Sequence, residues 1–208
     1  MKLKICGMKD NPEEVAQLQP DYLGFIFWEP SSRYFDGAVL QIASAIEKIG
    51  VFVDADLSSV LEHIKKYNLQ GVQLHGKETP EYCKKLNKLK QKLDFKIIKV
   101  FSVKEKFDLS VLKEYEEVCD YFLFDTKGKL PGGNGFTFDW SLLKDYPSSK
   151  PYFLSGGIGL ENVEEIKEFM RSPESNYCYA LDVNSKFEEK PGLKNIEKLK
   201  EFKSLLSI

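Results

Sequence analysis

The chain has 208 residues, of which 42% are hydrophobic and 30% are charged, and its formal net charge is −2. Acidic and basic residues are mixed along the chain, so the charge gives no electrostatic reason to expect nucleic acid or an anionic membrane as a partner. No apolar run approaches the length of a membrane span.

The first residues, MKLKICGMKD, enter a strand-like stretch at once and lack the apolar region and cleavage site of a signal peptide. The four cysteines are far apart and form no C-x-x-C pair, and neither they nor the two histidines have the spacing of metal ligands. We therefore expect a cytoplasmic protein with reduced thiols and no structural zinc.

Eight short apolar runs follow one another along the chain, each of about strand length and several apolar throughout, as strands buried on both faces should be. They are KLKIC (2–6), YLGFIF (22–27), GVFVD (50–54), GVQLH (71–75), KIIKVF (96–101), YFLFDT (121–126), PYFLSG (151–156) and YALDV (179–183).

Amphipathic segments separate these runs and predict helices. The first has Asn11 in a capping position with Pro12 after it, and others place apolar residues three or four apart, as in LSSVLEHIKKYN, TPEYCKKLNKLKQK, DWSLLKDY, GLENVEEIKEFM and LKNIEKLKEFKSLLS. A strand and a helix repeated eight times predict a single-domain (β/α)8 TIM barrel over residues 1–208. A doubly wound open sheet is the alternative, but KICGMKDNPEE lacks its G-x-G-x-x-G spacing.

Catalytic groups of such barrels lie at the C-terminal ends of the strands. These ends are predicted to carry Cys6, Trp28, Asp54, His75, Phe101, Asp125, the turn Ser155-Gly156-Gly157, and Asp182 with Asn184 and Ser185. The other cysteines fall on a helix (Cys83) or where strands begin (Cys119 and Cys178), and we expect them to act as small core residues.

Two glycine-rich segments follow strands. The turn at Gly156 and Gly157, with Asn184 and Ser185 after the next strand, matches the place where loops of these barrels bind phosphate. Alternatively, Gly156 and Gly157 could serve only to reverse the direction of the chain, since tight turns also favour glycine. After Asp125, about a dozen residues rich in glycine, lysine and proline suggest backbone amides that approach a ligand closely.

The acid and base remain open at this level. Cys6 and His75 are both candidate bases, because an imidazole exchanges protons near neutral pH and a thiol can do so if nearby positive charge lowers its pKa. Asp54 and Asp182 could instead cap a helix or hold a loop. The residues alone indicate a phosphate-binding barrel, an enzyme, with Cys6, His75, Asp54, Asp125 and Asp182 as candidates.

The motifs themselves resemble, in order and spacing, those of phosphoribosylanthranilate isomerases over essentially the whole chain. They are KICGMKD, DYLGFIFWEPSSRY, GVFVD, GVQLHGKE, FLFDTKGKLPGGNGFTFDW, LSGGIGLENV and ALDVNSKFEEKPGLKN. The resemblance implies a single-domain (β/α)8 isomerase of tryptophan biosynthesis that needs neither metal nor organic cofactor. Its partner would be the small-molecule substrate, with no nucleic acid or membrane, and the protein would be a monomer or homodimer.

By the same resemblance, Cys6 is the general base and Asp125 is the general acid of an Amadori rearrangement. Arg33 faces the anthranilate carboxylate. The remaining substrate-binding residues lie on the phosphate side or near it: Gly132, Gly133, Gly156, Gly157, Asp182, Asn184 and Ser185. Lys186 stands where the family often has a glycine, and it could bind the phosphate itself.

Two other functions compete with this one. The isomerase of histidine biosynthesis performs the same rearrangement on a similar barrel, but it uses paired aspartates and two phosphate sites, whereas VDADLSS after the third strand offers no second glycine pair. A catalytically inactive phosphosugar-binding barrel is the other, and the presence of both Cys6 and Asp125 argues against it.

Overall fold

The computed structural model describes residues 1–90, 93–104, 107–126 and 138–208. Its centre is a closed barrel of eight parallel strands, each hydrogen-bonded to the next in chain order and the last to the first. The strands are β1 (Lys2–Cys6), β2 (Tyr22–Ile26), β3 (Glu47–Phe52), β4 (Gly71–Leu74), β5 (Lys96–Val103), β6 (Tyr121–Thr126), β7 (Tyr152–Leu154) and β8 (Cys178–Val183). The predicted TIM barrel is therefore confirmed, and the open sheet is wrong.

The described helices form the outer layer of the barrel. They are α1 (Pro12–Ala16), α2 (Leu57–Tyr67), α3 (Pro80–Leu89), α4 (Val163–Arg171) and α5 (Ile196–Leu206), with 3₁₀ helices at Leu109–Tyr115, Trp140–Asp145, Leu160–Asn162, Pro173–Tyr177 and Ser185–Phe187. Local chemistry fixes several ends. Thr79 accepts a hydrogen bond from the Tyr82 amide at 3.2 Å and Asn195 one from the Lys198 amide at 2.8 Å, so both act as N-caps.

The expected strand–helix unit is not repeated eight times. Residues 27–46, between β2 and β3, contain no helix, and the described segments after β5 and β6 hold only 3₁₀ helices. Phe35 takes the place of a helix outside β2: its amide bonds to the Ile26 carbonyl at 2.8 Å, and its ring packs 4.9 Å from Phe25 and 5.7 Å from Tyr67. The sheet is thus covered by an extended segment there.

Alternating side chains along the strands divide the core in two. Residues that point outward pack under the helices in the larger cluster, and residues that point inward fill the barrel in a smaller one that includes Ile49, Ile98, Leu123, Phe153 and Ala180. The inward positions nearer the C-terminal ends carry polar side chains instead of apolar ones. This change of polarity is what opens a site above the apolar layer.

A short antiparallel hairpin follows β8 and lies at the same end of the barrel. Its strands are β9 (Glu188–Lys190) and β10 (Leu193–Lys194), and Gly192 takes the left-handed turn position with φ +92°. The hairpin is joined to the start of the chain, because the Asp10 amide bonds to the Gly192 carbonyl at 2.9 Å and the Lys194 amide bonds to the Asn11 side chain at 2.9 Å. It thereby places side chains beside the end of β1.

Candidate active site

A cavity opens at the C-terminal ends of the strands and encloses about 690 Å³, including space open to solvent. Most of the predicted site residues line it: Cys6, Trp28, Arg33, His75, Asp125, Ser155, Gly156, Gly157, Asp182, Asn184, Ser185 and Lys186. Strands that are far apart in sequence therefore converge on one site, as the barrel topology requires.

Cys6 ends β1 with its thiol inside the barrel, and charged groups of β1, β8 and β10 act on it. Lys4 lies two residues earlier on the same face of the strand and is completely buried, with Nζ 2.7 Å from Oδ2 of Asp182. Burial alone would lower the pKa of Lys4, but the Asp182 carboxylate and the Cys6 thiol outweigh it and raise that pKa. Lys4 is therefore a fixed ammonium under the candidate base.

The pKa of the Cys6 thiol is raised, mainly because burial disfavours the thiolate. The Lys4 and Lys194 charges act in the opposite direction, and the Asp182 carboxylate adds to the effect of burial. The positive charge that a thiol base requires is therefore present, but it does not outweigh burial. Desolvation of the thiolate in the barrel has the larger effect on the Cys6 pKa, and the charges of Lys4 and Lys194 reduce the size of the increase.

Asp125 ends β6 and is buried against the loop that follows β4. Its Oδ2 lies 3.3 Å from Nε2 of His75, but the two atoms are not aligned as a hydrogen bond. Asp125 and Cys6 belong to strands separated by β7 and β8 in the barrel. A carboxyl group and a thiol therefore face the cavity from different walls, and both candidate bases, Cys6 and His75, lie in it.

A buried ion pair holds the loop that carries His75. Lys99 donates to Glu78 at 2.9 Å and to the Gly76 carbonyl at 2.9 Å, while Glu78 accepts from the Asp54 amide at 3.0 Å. Asp54 in turn accepts from the Lys77 amide at 2.6 Å and is not among the residues that line the cavity. Of the two alternatives for Asp54, the structure supports the loop-holding one.

Arg33 reaches the cavity from the segment after β2 and is bound by Glu188 of the hairpin. The Arg33 Nε lies 2.9 and 3.0 Å from the two Glu188 oxygens, and Nη2 lies 2.7 Å from Oε2. Gly7 makes this approach possible, since a Cβ at Gly7 would lie only 2.9 Å from Cδ of Arg33 and 2.6 Å from Oδ1 of Asn184. Gly7 itself has φ +77°, which favours glycine.

Glu188 is also tied to the buried Lys194, whose Nζ lies 2.8 Å from Oε1 of Glu188 and 2.7 Å from Oδ1 of Asn184. Burial lowers the pKa of Lys194 to about 8, although the nearby Glu188 carboxylate opposes that change. Despite its own burial, the pKa of Glu188 is lowered, because Arg33 and Lys194 stabilise its charge. Two cations and two acceptors thus form one connected cluster beside Cys6.

The candidate phosphate side is formed by the turn after β7 and the loop after β8. Gly156 and Gly157 have φ +94° and +69°, and a Cβ at Gly156 would overlap the backbone nitrogen of Thr126. Ser185 and Lys186 face the same cavity, and Lys186 is paired with Glu161. Gly132 and Gly133, with the rest of residues 127–137, lie outside the described residues.

The remaining sequence candidates are structural. Phe101 is buried in the outer core, Cys83 lies on α3, and Cys119 and Cys178 stand just before and at the start of strands. Several residues of the site were not predicted, among them Lys4, Gln73, Glu188 and Lys194. The first two are two residues before Cys6 and His75, so strand periodicity could have found them.

Gln73 is the most buried of the cavity residues with an unused acceptor. Its side chain is 2% exposed, and within the described ranges its Oε1 has no hydrogen-bond partner; the same is true of Oδ1 of Asp182. Buried polar atoms normally have partners, because leaving one unpaired is unfavourable. These two acceptors therefore point to a ligand that donates hydrogen bonds.

The part of the chain that the structure describes contains no group of three or more His, Cys, Asp or Glu residues placed to hold a metal ion. No helix in that same part is long and apolar enough to cross a membrane.

Comparison with known proteins gives a consistent result. Residues 3–204 match the family model described as N-(5'-phosphoribosyl)anthranilate isomerase. A relative of that name from Parabacteroides distasonis is 42% identical over 210 aligned residues, which cover 97% of this chain and 91% of the relative. Another, from Phocaeicola vulgatus, is 37% identical and covers 94% and 92% of the two chains.

Solved structures agree with the sequence relatives. A phosphoribosylanthranilate isomerase from Thermus thermophilus has a TM-score of 0.82 at 27% identity, covering 100% of this chain and 98% of that one. A second, solved in complex with reduced 1-(o-carboxyphenylamino)-1-deoxyribulose 5-phosphate, has a TM-score of 0.80 at 27% identity with the same coverage. The chain belongs to the N-(5'-phosphoribosyl)anthranilate isomerase family.

Proposed function

We propose that this chain converts N-(5'-phosphoribosyl)anthranilate to 1-(2-carboxyphenylamino)-1-deoxyribulose 5-phosphate, the isomerisation that its family performs in tryptophan biosynthesis. The observation that carries the proposal is the joint placement of Cys6 and Asp125 in one cavity, with Arg33 and the Gly156–Gly157 turn at its rim. A base, an acid, a cation and a backbone turn are the groups that this substrate requires.

In the proposed mechanism, Asp125 in its protonated form donates to the ribose ring oxygen. The bond from that oxygen to C1 breaks, and the nitrogen lone pair forms a C1=N bond, so the ring opens to a positively charged Schiff base. The Cys6 thiolate then takes the proton from C2. The C–H electrons form a C1=C2 bond and neutralise the nitrogen, and the resulting enolamine tautomerises to the ketone.

Each proton transfer of this kind contributes about 10²–10⁴-fold in rate. The raised pKa of Cys6 keeps the thiolate fraction small at neutral pH but makes the thiolate a stronger base. The buried ammonium of Lys4 increases that fraction without taking part in the transfer. The site thus balances base strength against base population.

The two ends of the substrate are anionic, and the cavity offers a different anion site for each. We assign the carboxylate to the Arg33 guanidinium, which suits a planar bidentate partner. We assign the phosphate to the turn at Gly156 and Gly157 with Asn184 and Ser185, where backbone amides can approach it. Gly132 and Gly133, in the segment 127–137, remain proposed phosphate contacts from a covering loop.

The unpaired acceptors Gln73 Oε1 and Asp182 Oδ1 fit the middle of such a ligand, where the sugar presents hydroxyl donors. Lys186 has an exposed carboxylate partner, Glu161, and a doubly charged phosphate nearby would compete for it. We propose that the catalytic unit is the single barrel of residues 1–208 and that it acts in the cytoplasm as a monomer or homodimer. The free state of all four cysteines supports that location.

The test follows anthranilate fluorescence while the purified chain acts on N-(5'-phosphoribosyl)anthranilate. We expect turnover by the unaltered chain and a loss of about 10²-fold or more in kcat for Cys6→Ser and for Asp125→Asn, with melting temperatures close to that of the unaltered chain. The amide of Asn cannot donate the proton, and a hydroxyl is a far weaker base than a thiolate.

Three outcomes would change the assignment. Turnover of the histidine-pathway substrate alone would favour the related isomerase, and binding without turnover would favour a sensor. Normal kcat in Cys6→Ser would transfer the base role to His75.

A further inference from the structure

We propose that Glu188 is a positioning residue for the substrate carboxylate: it fixes the Arg33 guanidinium so that one edge is presented to the ligand. The proposal rests on the carboxylate-binding role proposed above for Arg33. Glu188 is 155 residues away in sequence and makes three hydrogen-bond contacts to the guanidinium of 3.0 Å or less. Its side chain is 4% exposed and that of Arg33 is 16% exposed, so water competes little with this pair.

The number of hydrogens on the guanidinium decides which edge is free. An arginine has five N–H groups in a fixed plane. Glu188 takes the Nε hydrogen and one Nη2 hydrogen of Arg33. Within the described ranges no acceptor is bound to Nη1, so three donors remain free, and two of them point in parallel from the Nη1–Nη2 edge. A second carboxylate can bind that edge through two parallel hydrogen bonds.

Glu188 is itself held by groups other than Arg33. Its Oε1 accepts from Lys194 Nζ at 2.8 Å and from the Gly192 amide at 3.1 Å. If Glu188 left when substrate bound, a buried ammonium and a backbone N–H would lose their partner, which is unfavourable. These contacts make Glu188 a fixed support for Arg33 and not an anion that substrate displaces.

The charges of the cluster agree with a monoanionic ligand group. Arg33 and Lys194 are positive and Glu188 is negative, so the cluster keeps one net positive charge while Arg33 stays in place. Lys194 also bonds to the side chain of Asn184 at 2.7 Å. The support of Arg33 therefore continues into the loop assigned to the phosphate, and the spacing of the two anion sites is set by one set of contacts.

The experiment measures KM and kcat for N-(5'-phosphoribosyl)anthranilate and the inhibition constant of inorganic phosphate. Glu188→Gln keeps the size and one acceptor oxygen but removes the charge. We expect KM to rise roughly tenfold or more, as for a weakened charge-assisted contact, with kcat and phosphate inhibition nearly unchanged. Glu189→Gln, on the exposed next residue, is the matched control and should behave like the unaltered chain.

A double-mutant cycle tests whether Glu188 acts through Arg33. If it does, Arg33→Ala combined with Glu188→Gln should have the same KM as Arg33→Ala alone, since residues in one path are not additive. Additive losses, or a lower KM in Glu188→Gln, would overturn the proposal. The second result would mean that Glu188 competes with substrate for Arg33.

Arg33→Lys provides a second test in case Glu188→Gln fails to fold, because this variant leaves Glu188 and Lys194 unchanged. A lysine has no second edge to present once it pairs with Glu188, so its KM should match that of Arg33→Ala. Near-normal KM in Arg33→Lys would overturn the positioning role. Absence of turnover by the unaltered chain would instead contradict the proposed function, and the two failures are therefore distinguishable.

Discussion

Replacing Lys4 by Met should slow the chemistry of Cys6 without touching the substrate. The ammonium is completely buried and 2.7 Å from Asp182, and it favours the thiolate of Cys6 through both its charge and a hydrogen bond. At about 4 Å and an effective dielectric constant of about 20, one unit charge acts on another with roughly 4 kcal/mol. That energy corresponds to about a thousandfold change in the thiolate fraction.

The assay is the alkylation rate of each cysteine by iodoacetamide, resolved by peptide mass spectrometry, alongside kcat/KM. We expect Cys6 to react roughly 10²–10³-fold more slowly in Lys4→Met and kcat/KM to fall in parallel. Cys178 is half-buried and lies outside the cavity, so its rate is the internal control and should not change.

Stability needs a separate control, because Lys4→Met leaves the Asp182 carboxylate buried and unpaired. Breaking such a pair typically costs about 3–5 kcal/mol, which lowers Tm by roughly 10 °C in a chain of this size. Lys4→Met with Asp182→Leu removes both charges and should recover most of that loss. Its Cys6 should still react more slowly than in the unaltered chain. An unchanged alkylation rate in Lys4→Met would show that Lys4 only neutralises Asp182.

Three further predictions concern the same cavity. Gln73→Leu removes a buried unpaired acceptor, so it should raise stability by about 1 kcal/mol while lowering kcat/KM. Reduced stability in a denaturant titration would contradict the ligand-facing role of Gln73. Gly156→Ala places an alanine in a left-handed conformation, and its Cβ overlaps the Thr126 backbone. The substitution should lower stability by about 1–3 kcal/mol and weaken inhibition by inorganic phosphate. Phosphate inhibition equal to that of the unaltered chain would place the anion site elsewhere. Because burial raises the Cys6 pKa, the rate at which iodoacetamide alkylates Cys6 should increase about tenfold per pH unit above neutrality, whereas a pH-independent alkylation rate would mean that the thiolate is already formed.

Strand periodicity was enough to predict the barrel, because each apolar run overlaps one of the eight observed strands. Since the strands are parallel, all their C-terminal ends lie at the same end of the barrel. Cys6 and Asp125 could be found because both close such runs and the topology brings strand ends together. The segment after β2 was mispredicted because its cover is Phe35, a single ring packed on Phe25 and Tyr67. No local pattern distinguishes that packing from a helix.

Partners distant in sequence could not be predicted from local spacing. Glu188 pairs with Arg33 across 155 residues and Lys4 with Asp182 across 178. In the sequence alone, a charged residue with such a distant partner cannot be distinguished from an exposed charged residue. The direction of the Cys6 pKa shift could not be predicted for a related reason. Nearby positive charge was anticipated, but the degree of burial depends on how the whole barrel closes.

The contacts between β1 and β8 predict that the protein becomes active only after β8 has been synthesised. The candidate base is in β1, whereas Asp182, Glu188 and Lys194, which set the charge around it and around Arg33, are synthesised much later: Asp182 follows its partner Lys4 by 178 residues. Contacts of such long sequence separation form late, because the intervening chain must be closed into a loop first. Nascent or truncated chains that lack β8 and the β9–β10 hairpin should therefore carry an unpaired Lys4 and an unsupported Arg33, so that catalytic competence and completion of the barrel coincide.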